Sequence, residues 1–378
     1  MILKNDQKNN SYKDYIDRIS NESIPAYEPD VGAEELELLK DVINSNWLSE
    51  GKYVREFEEK LRISCQRNYA LAFNNCTAAL ITGMKSLGIG PGDDVIVQSL
   101  VHSADPNAIS AAGARPVFSD VNKDTLCLDI ESIEKAKTPN TKAILHVALY
   151  GNTSNLDDLT SYCKDNGLLL INDCAPALFG LFKGKSIASY GEFSALSFFA
   201  DKTITTGEGG MFLTDNPELI SEANIYKHDG RKERGVDIIE RKGFNYRITE
   251  LQAALGVAQI KKSHHFIKRK KENNLLYKSL LKNEKVNVFR FNDPSEIIPH
   301  RNIIFVPNAR DLIDYLVANG VGARTLFMPM HSQPVYDTKE TFPNTDHLYQ
   351  TGVCLPSAPS LKRSQIEYIC NLINNFIV

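Results

Sequence analysis

Two side chains raise the question of chemistry. Asp173 closes the apolar run "GLLLIND", and Lys202 follows "ALSFF" inside the stretch "SFFADKTITTGEGG". A carboxylate at a strand end can hold a pyridinium nitrogen protonated, which pyridoxal phosphate (PLP) needs in order to act as an electron sink. The same residue type caps helices, and position alone favours a cap. A lysine desolvated at a strand end gives up its proton more readily and can form a Schiff base. Most turn lysines are simply solvated. Here the polar turn Thr205-Thr206-Gly207-Glu208-Gly209-Gly210, set just before the next strand, shifts the balance toward function.

Other stretches could bind anions. "NNCTAAL", Asn74 to Leu80, joins a strand to a helix. Backbone N–H groups and the Thr77 hydroxyl at a helix N-terminus suit a phosphate, although ordinary capping leaves the same trace. "RKGFNYRITELQAALG" sets Asn245 and Arg247 in a loop before a helix that Thr249 would cap. The eight histidines show no HExxH spacing, and His264-His265 sit among lysines and arginines as on a solvated helix face. The seven cysteines are scattered without a CxxC pair, a pattern of reduced thiols rather than of a disulfide framework or zinc site.

These residues need a scaffold. A chain of 378 residues exceeds one ordinary core. The expected organisation is a polar arm over 1–25, a large domain over 26–262 and a smaller α/β domain over 263–378. "GAEELELLKDVINS" has an apolar stripe of Leu36, Leu38, Leu39, Val42 and Ile43, and "GKYVREFEEKLRISC" follows as a second helix. Seven apolar runs then alternate with helical segments: "YALAF", "DDVIVQS", "RPVFSDV", "AILHVALY", "GLLLINDC", "EFSALSFF" and "GGMFLTD". Such runs indicate an α/β fold with a mostly parallel sheet covered on both faces, its ligand site at the carboxyl ends of the strands. Beyond residue 250 the pattern predicts a long helix, or two in series, entering the C-terminal domain. The net charge of −4 gives no reason to expect nucleic acid. No apolar run approaches the roughly 20 residues of a membrane span. The polar start lacks a signal peptide's apolar region, so a cytoplasmic location is expected.

In combination the motifs are far more specific. "CTAAL", "NDCAPA", "SFFADKTITTGEGGM", "GFNYRITELQAALG", "MPMHSQPVY" and "CLPSAPSL" follow one another in the order and spacing of the DegT/DnrJ/EryC1/StrS family. The chain resembles these fold-type-I, PLP-dependent sugar aminotransferases from about Ile24 to its end, above all the branch that aminates C4 of GDP-4-keto-6-deoxymannose. The resemblance implies Lys202 as the lysine that carries PLP and Asp173 as the partner of its ring nitrogen. Cys76, Thr77 and Ser197 fall where the family grips the cofactor phosphate. Asn245 falls where it reaches into the neighbouring subunit's site, which implies a homodimer with shared active sites. Trp47, Arg247 and His331 match positions near the nucleotide-sugar pocket, and glutamate is the implied amino donor.

Three positions depart from the family pattern. Cys76 stands for a usual glycine, His102 for the aromatic ring that stacks on the cofactor, and Pro176 for a polar residue near its 3′-oxygen. The alternatives are the same chemistry on a dTDP- or UDP-linked sugar or at C3, a PLP-dependent dehydratase or lyase, and a non-catalytic relative.

Overall fold

The computed structural model of the chain describes residues 24–233, 235–293, 296–336 and 338–376. Residues 1–23 of the expected arm lie outside these. Helices α1 (Ala33–Ser45) and α2 (Lys52–Ser64) lead into β1 (Tyr69–Phe73). There follow α3 (Cys76–Ser86), β2 (Asp94–Gln98), α4 (Ala104–Ala112), β3 (Arg115–Ser119), α5 (Ile130–Ala136), β4 (Thr141–Val147), α6 (Leu156–Asp165) and β5 (Leu169–Asp173). A small hairpin of β6 (Leu181–Phe182) and β7 (Lys185–Ser186) precedes β8 (Phe193–Ser197), β9 (Gly210–Thr214) and α7 (Pro217–Lys227).

The seven apolar runs of the sequence are the seven strands of one sheet, ordered β1-β9-β8-β5-β4-β2-β3. Strands β8, β5, β4, β2 and β3 pair in parallel, while β9 runs antiparallel to both β1 and β8. Parallel neighbours need a crossover, usually a helix, and the link from β8 to β9 contains none. Both faces are buried. Along β8, Phe193 and Ala195 join the cluster of Leu80 and Met84 on α3, whereas Leu196 joins Phe57 and Leu61 on α2. That explains why the strands read as continuous apolar runs rather than as alternation.

Helix α8 (Glu250–Leu280) is one continuous helix of 31 residues. After it come β10 (Asn287–Val288), β11 (Asn302–Phe305), α9 (Ala309–Ala318), β12 (Arg324–Thr325), α10 (Pro343–Thr351), β13 (Gly352–Leu355) and α11 (Arg363–Asn375). Their strands form a second, antiparallel sheet, β10-β11-β13-β12. Helix α8 packs against α1, α2 and α11. Gly256 permits the close crossing of α2, since a Cβ there would meet the Phe57 ring at 2.5 Å.

Helix α1 buries only part of its apolar stripe. Val42 is buried and Leu38 and Leu39 are half-buried, but Leu36 and Ile43 stand 67% and 60% exposed. The buried Glu35 carboxylate fixes this rotation by accepting from Gln259 Nε2 at 2.8 Å and pairing with Lys262 at 2.8 Å. Among the described residues no helix is long and apolar enough to cross a membrane. His264 and His265 are exposed on α8, and all seven cysteines are buried and unpaired.

The start of α2 is closed from a distance. The buried Glu250 carboxylate accepts the N–H groups of Gly51 (2.7 Å), Tyr53 (3.0 Å) and Val54 (2.9 Å). A negative charge at a helix N-terminus satisfies donors that the helix cannot. Because hydrogen bonds to a charged group are each worth about 1.5–3 kcal/mol, Glu250→Ala should cost at least about 2 kcal/mol. The expected result is a lower midpoint in urea denaturation followed by circular dichroism, with Glu250→Gln recovering part of the loss.

Candidate active site

A cleft of about 360 Å³ opens at the carboxyl edge of the large sheet. Six of the residues singled out in the sequence line it together: Cys76, Thr77, His102, Asp173, Ser197 and Lys202. Pro176 lines it as well. The other four lie elsewhere. Trp47 is exposed and donates its indole N–H to the Glu50 carbonyl at 3.1 Å. Asn245 is exposed in a segment bridged to His228, and Arg247 pairs with Asp229 at 2.8 Å. His331 has both ring nitrogens engaged, Nδ1 with Ser99 Oγ (2.7 Å) and Nε2 with Asp346 (3.2 Å).

One end of the cleft is formed by a helix N-terminus, a set of donors suited to an anion. The Asn75 side chain accepts the Ala78 N–H at 2.8 Å, and its carbonyl takes that of Ala79. The N–H groups of Cys76 and Thr77 have no acceptor within α3, and both residues line the cleft. Cys76 is the first residue of α3 and has no positive φ, so a cysteine in place of glycine causes no backbone strain. Gly210 presses against this turn, where a Cβ would lie 2.4 Å from the Asn75 carbonyl carbon.

At the other end, Asp173 is buried and its Oδ1 accepts the Ala175 N–H at 2.7 Å. It therefore caps a turn rather than a helix, and it still faces the cleft. Beside it stands Asp105, from the first turn of α4, 1% exposed. Burial and then the Asp173 charge push the Asp105 carboxyl well above the usual carboxylate range. His102 lies on the same wall, its ring edge-on to Phe327 at 5.4 Å. Desolvation and the Lys202 charge hold its imidazole below the ordinary value, so the ring is neutral at pH 7.

Lys202 is positioned by the loop between β8 and β9. Thr206 N–H bonds the Phe198 carbonyl, Phe198 N–H bonds that of Gly209, and Lys202 N–H bonds that of Phe199 at 3.0 Å. Its ammonium lies 3.9 Å from Asp201, whose carboxylate is ion-paired with the buried Arg301. Burial acts to raise the Asp201 carboxyl. The His300 bond and the charges of Lys202 and Arg301 outweigh it and hold the group far below its usual range. Burial also lowers His300 to about 3 and, with the Arg301 charge, Lys270 behind it to about 7. The small sheet closes the cleft with Arg324, whose guanidinium lies 5.1 Å over the Tyr27 ring, and with Phe327, which stacks on Tyr150 at 5.5 Å.

Sequence reading passed over Asp105, Tyr150, Asp201, Arg301 and Arg324. Asp105 lay inside a segment read only as helical, and Arg301 acquires a role only through Asp201, far away in the chain.

The family model described as the DegT/DnrJ/EryC1/StrS aminotransferase family matches residues 29–374. The chain belongs to that family. It is therefore a PLP-dependent sugar aminotransferase. GDP-perosamine synthase from Escherichia coli O157:H7 is 35% identical to it over 93% of this chain and 98% of that protein. GDP-perosamine synthase from Vibrio cholerae is 34% identical over 93% and 99%. The structure of DesI in the presence of its TDP-sugar product superposes with a TM-score of 0.87 at 27% identity, covering 94% of this chain and 92% of that one.

The donor set of the aminotransferase cleft fits PLP. It offers helix N–H groups and a Ser197 hydroxyl for a phosphate, a buried carboxylate for a ring nitrogen, and an amine for an aldehyde. The Asp201–Arg301 pair braces this amine's loop. Removing one member of a buried ion pair costs about 3–5 kcal/mol, because the other charge is left uncompensated. Arg301→Met should fall in that range by urea denaturation, and the double change Arg301→Met with Asp201→Asn should cost less than Arg301→Met alone.

Proposed function

We propose that this aminotransferase moves an amino group from glutamate to the C4 keto group of a nucleotide-linked 4-keto-6-deoxy sugar, with GDP-4-keto-6-deoxymannose as the preferred acceptor. The observation that carries this reading is near-full-length similarity to two GDP-perosamine synthases, combined with Lys202 and Asp173 in one cleft. The amino sugar would serve a surface glycan such as an O-antigen, made in the cytoplasm. A TDP-linked acceptor is the second reading, and the likeness to DesI favours it.

When bound, PLP supplies the electron sink that lets a carbon beside nitrogen lose its proton. Lys202 would carry the cofactor, and its amine would move the proton that the donor's α-carbon gives up. Asp173 would hold the ring nitrogen protonated. Cys76, Thr77 and Ser197 would hold the phosphate, and the neutral His102 would contribute to the cofactor's ring pocket. Arg324 has no acidic partner among the described residues, so its guanidinium is available for a carboxylate of the amino donor.

Trp47, Asn245 and Arg247 would serve a second protomer. The exposed apolar residues Leu36, Ile43, Leu48, Ile238 and Ile239 support a homodimer, and Asn245 of one protomer would complete the phosphate end of its partner's cleft. His331, held by Ser99, would contact the sugar.

A panel of GDP-, dTDP- and UDP-linked 4-keto sugars, with product masses read after incubation with glutamate, tests the substrate. The expected result is amine incorporation fastest with the GDP sugar and a loss of about 10⁴-fold in Lys202→Ala. Loss of a hydroxyl without amine gain would overturn the assignment in favour of a lyase. Shared sites are tested by mixing Lys202→Ala and Asn245→Ala subunits. Hybrid dimers would contain one site with both lesions and one with none, so activity should rise above that of either parent.

A further inference from the structure

The least conventional feature of the cleft is the carboxyl beside Asp173. Asp105 enters from the first turn of α4, is 1% exposed and lines the same cleft. Its Oδ1 finds no hydrogen-bond donor among the described residues. The group it meets at hydrogen-bonding range is the Asp173 carboxyl, a second acceptor. Two ionised carboxylates cannot share a dry site without a large electrostatic penalty, and two acceptors cannot bond unless a hydrogen lies between them. The surrounding groups do not supply that hydrogen. Cys76, from α3, is a buried thiol that burial and the charges of Asp173 and Asp105 keep protonated, but Asp105 Oδ1 receives no bond from it. The Lys202 ammonium acts on Asp105 only through its charge. His102, just before α4, is neutral and spends its Nδ1 on the Ala104 N–H at 3.1 Å.

We propose that Asp105 is a positioning residue for Asp173: the two carboxyls hold a single proton between them, and Asp173 meets the cofactor's ring nitrogen while already accepting a hydrogen bond from Asp105. This inference rests on the PLP reading above. Electrically, the pair presents one negative charge to the pyridinium instead of two. Chemically, a carboxylate that already accepts a hydrogen bond is a weaker base, so the ring proton is held less tightly and the electron sink is tempered. The shared proton leaves only well above the ordinary carboxylate range.

Folding stability carries the same signature. Asp105 ionises near pH 4 in the unfolded chain and far higher in the folded one. The native state therefore binds the extra proton, and stability falls as pH rises above about 4. Asp105→Asn keeps a hydrogen-bond donor for Asp173 and removes the titration.

The test is infrared spectroscopy of the full-length enzyme, with and without PLP, combined with a pH titration of the bound cofactor's visible absorbance. The expected result is a protonated-carboxyl C=O band at pH 7 in the wild type, lost in Asp105→Asn. An alkaline step in the cofactor spectrum should likewise be present in the wild type and absent from the variant. The melting temperature of Asp105→Asn should exceed that of the wild type by a margin that grows from pH 4 to 7. Absence of the band from the wild type at pH 7, or an alkaline step with the same midpoint in the variant, would overturn the proposal. If Asp105→Asn does not fold, the wild-type band and its loss on raising the pH decide the matter alone. A protein that shows the band but never takes up PLP would refute the cofactor reading and leave the shared proton standing.

Discussion

The site depends on a close approach of two backbones. Strand β9 lies antiparallel between β1 and β8, so Gly210 sits opposite both Phe73 and Ser197. It touches the turn at Asn75 and Cys76 so closely that no side chain fits. This contact sets the start of α3, and with it the donors of Cys76 and Thr77. It also fixes the far end of the loop that carries Lys202. A reversed strand in an otherwise parallel sheet thus joins the anion-binding turn and the amine, two groups that the sheet order alone would leave independent. The glycines near Lys202 therefore matter for packing, while Asp173 and Asp201 supply the charges around the lysine.

Charge is concentrated where water is scarce. Asp105, Asp173 and Asp201 gather around Lys202, with Arg301 and Arg324 beyond. Ions in such a setting persist only if paired or neutralised. Each group here has a different solution. Asp201 takes Arg301, Asp173 takes a main-chain N–H, His300 gives up its charge, and Asp105 keeps its proton. The three departures from the family pattern fall in the same region. Cys76 is a small apolar residue in a strain-free helical position, His102 is uncharged, and Pro176 adds no polar atom. The cleft thus holds extra acid close to Asp173 and little additional polarity elsewhere.

The sequence made the seven sheet strands legible because burial on both faces leaves uninterrupted apolar runs. Lys202, Asp173, Cys76, Thr77, His102 and Ser197 were legible because motif order ties each to a strand end. The reversal of β9 was not, since strand direction leaves no mark on composition. Helices α5, α6, α7 and α10 were not singled out, and neither were the two-residue strands β10 and β12, which are too brief for a period to show. Asp105 and Arg301 were missed for a common reason. Each draws its meaning from a carboxylate distant in sequence, and pairing across space cannot be seen in a linear pattern. The rotation of α1 also escaped notice, because the polar Glu35 decides which apolar residues face inward.

Asp201 and Arg301 meet in one ion pair although they stand a hundred positions apart in the chain. As the chain leaves the ribosome, the lysine, its aspartate and the anion-binding turn all emerge well before the arginine that braces them. The first two hundred residues can assemble most of a sheet. They cannot yet offer a walled cleft, because Arg301, Arg324 and Phe327 are still to come. Competence to retain a cofactor is thus among the last properties a nascent chain acquires, a timing set by where one ion pair finds its second half.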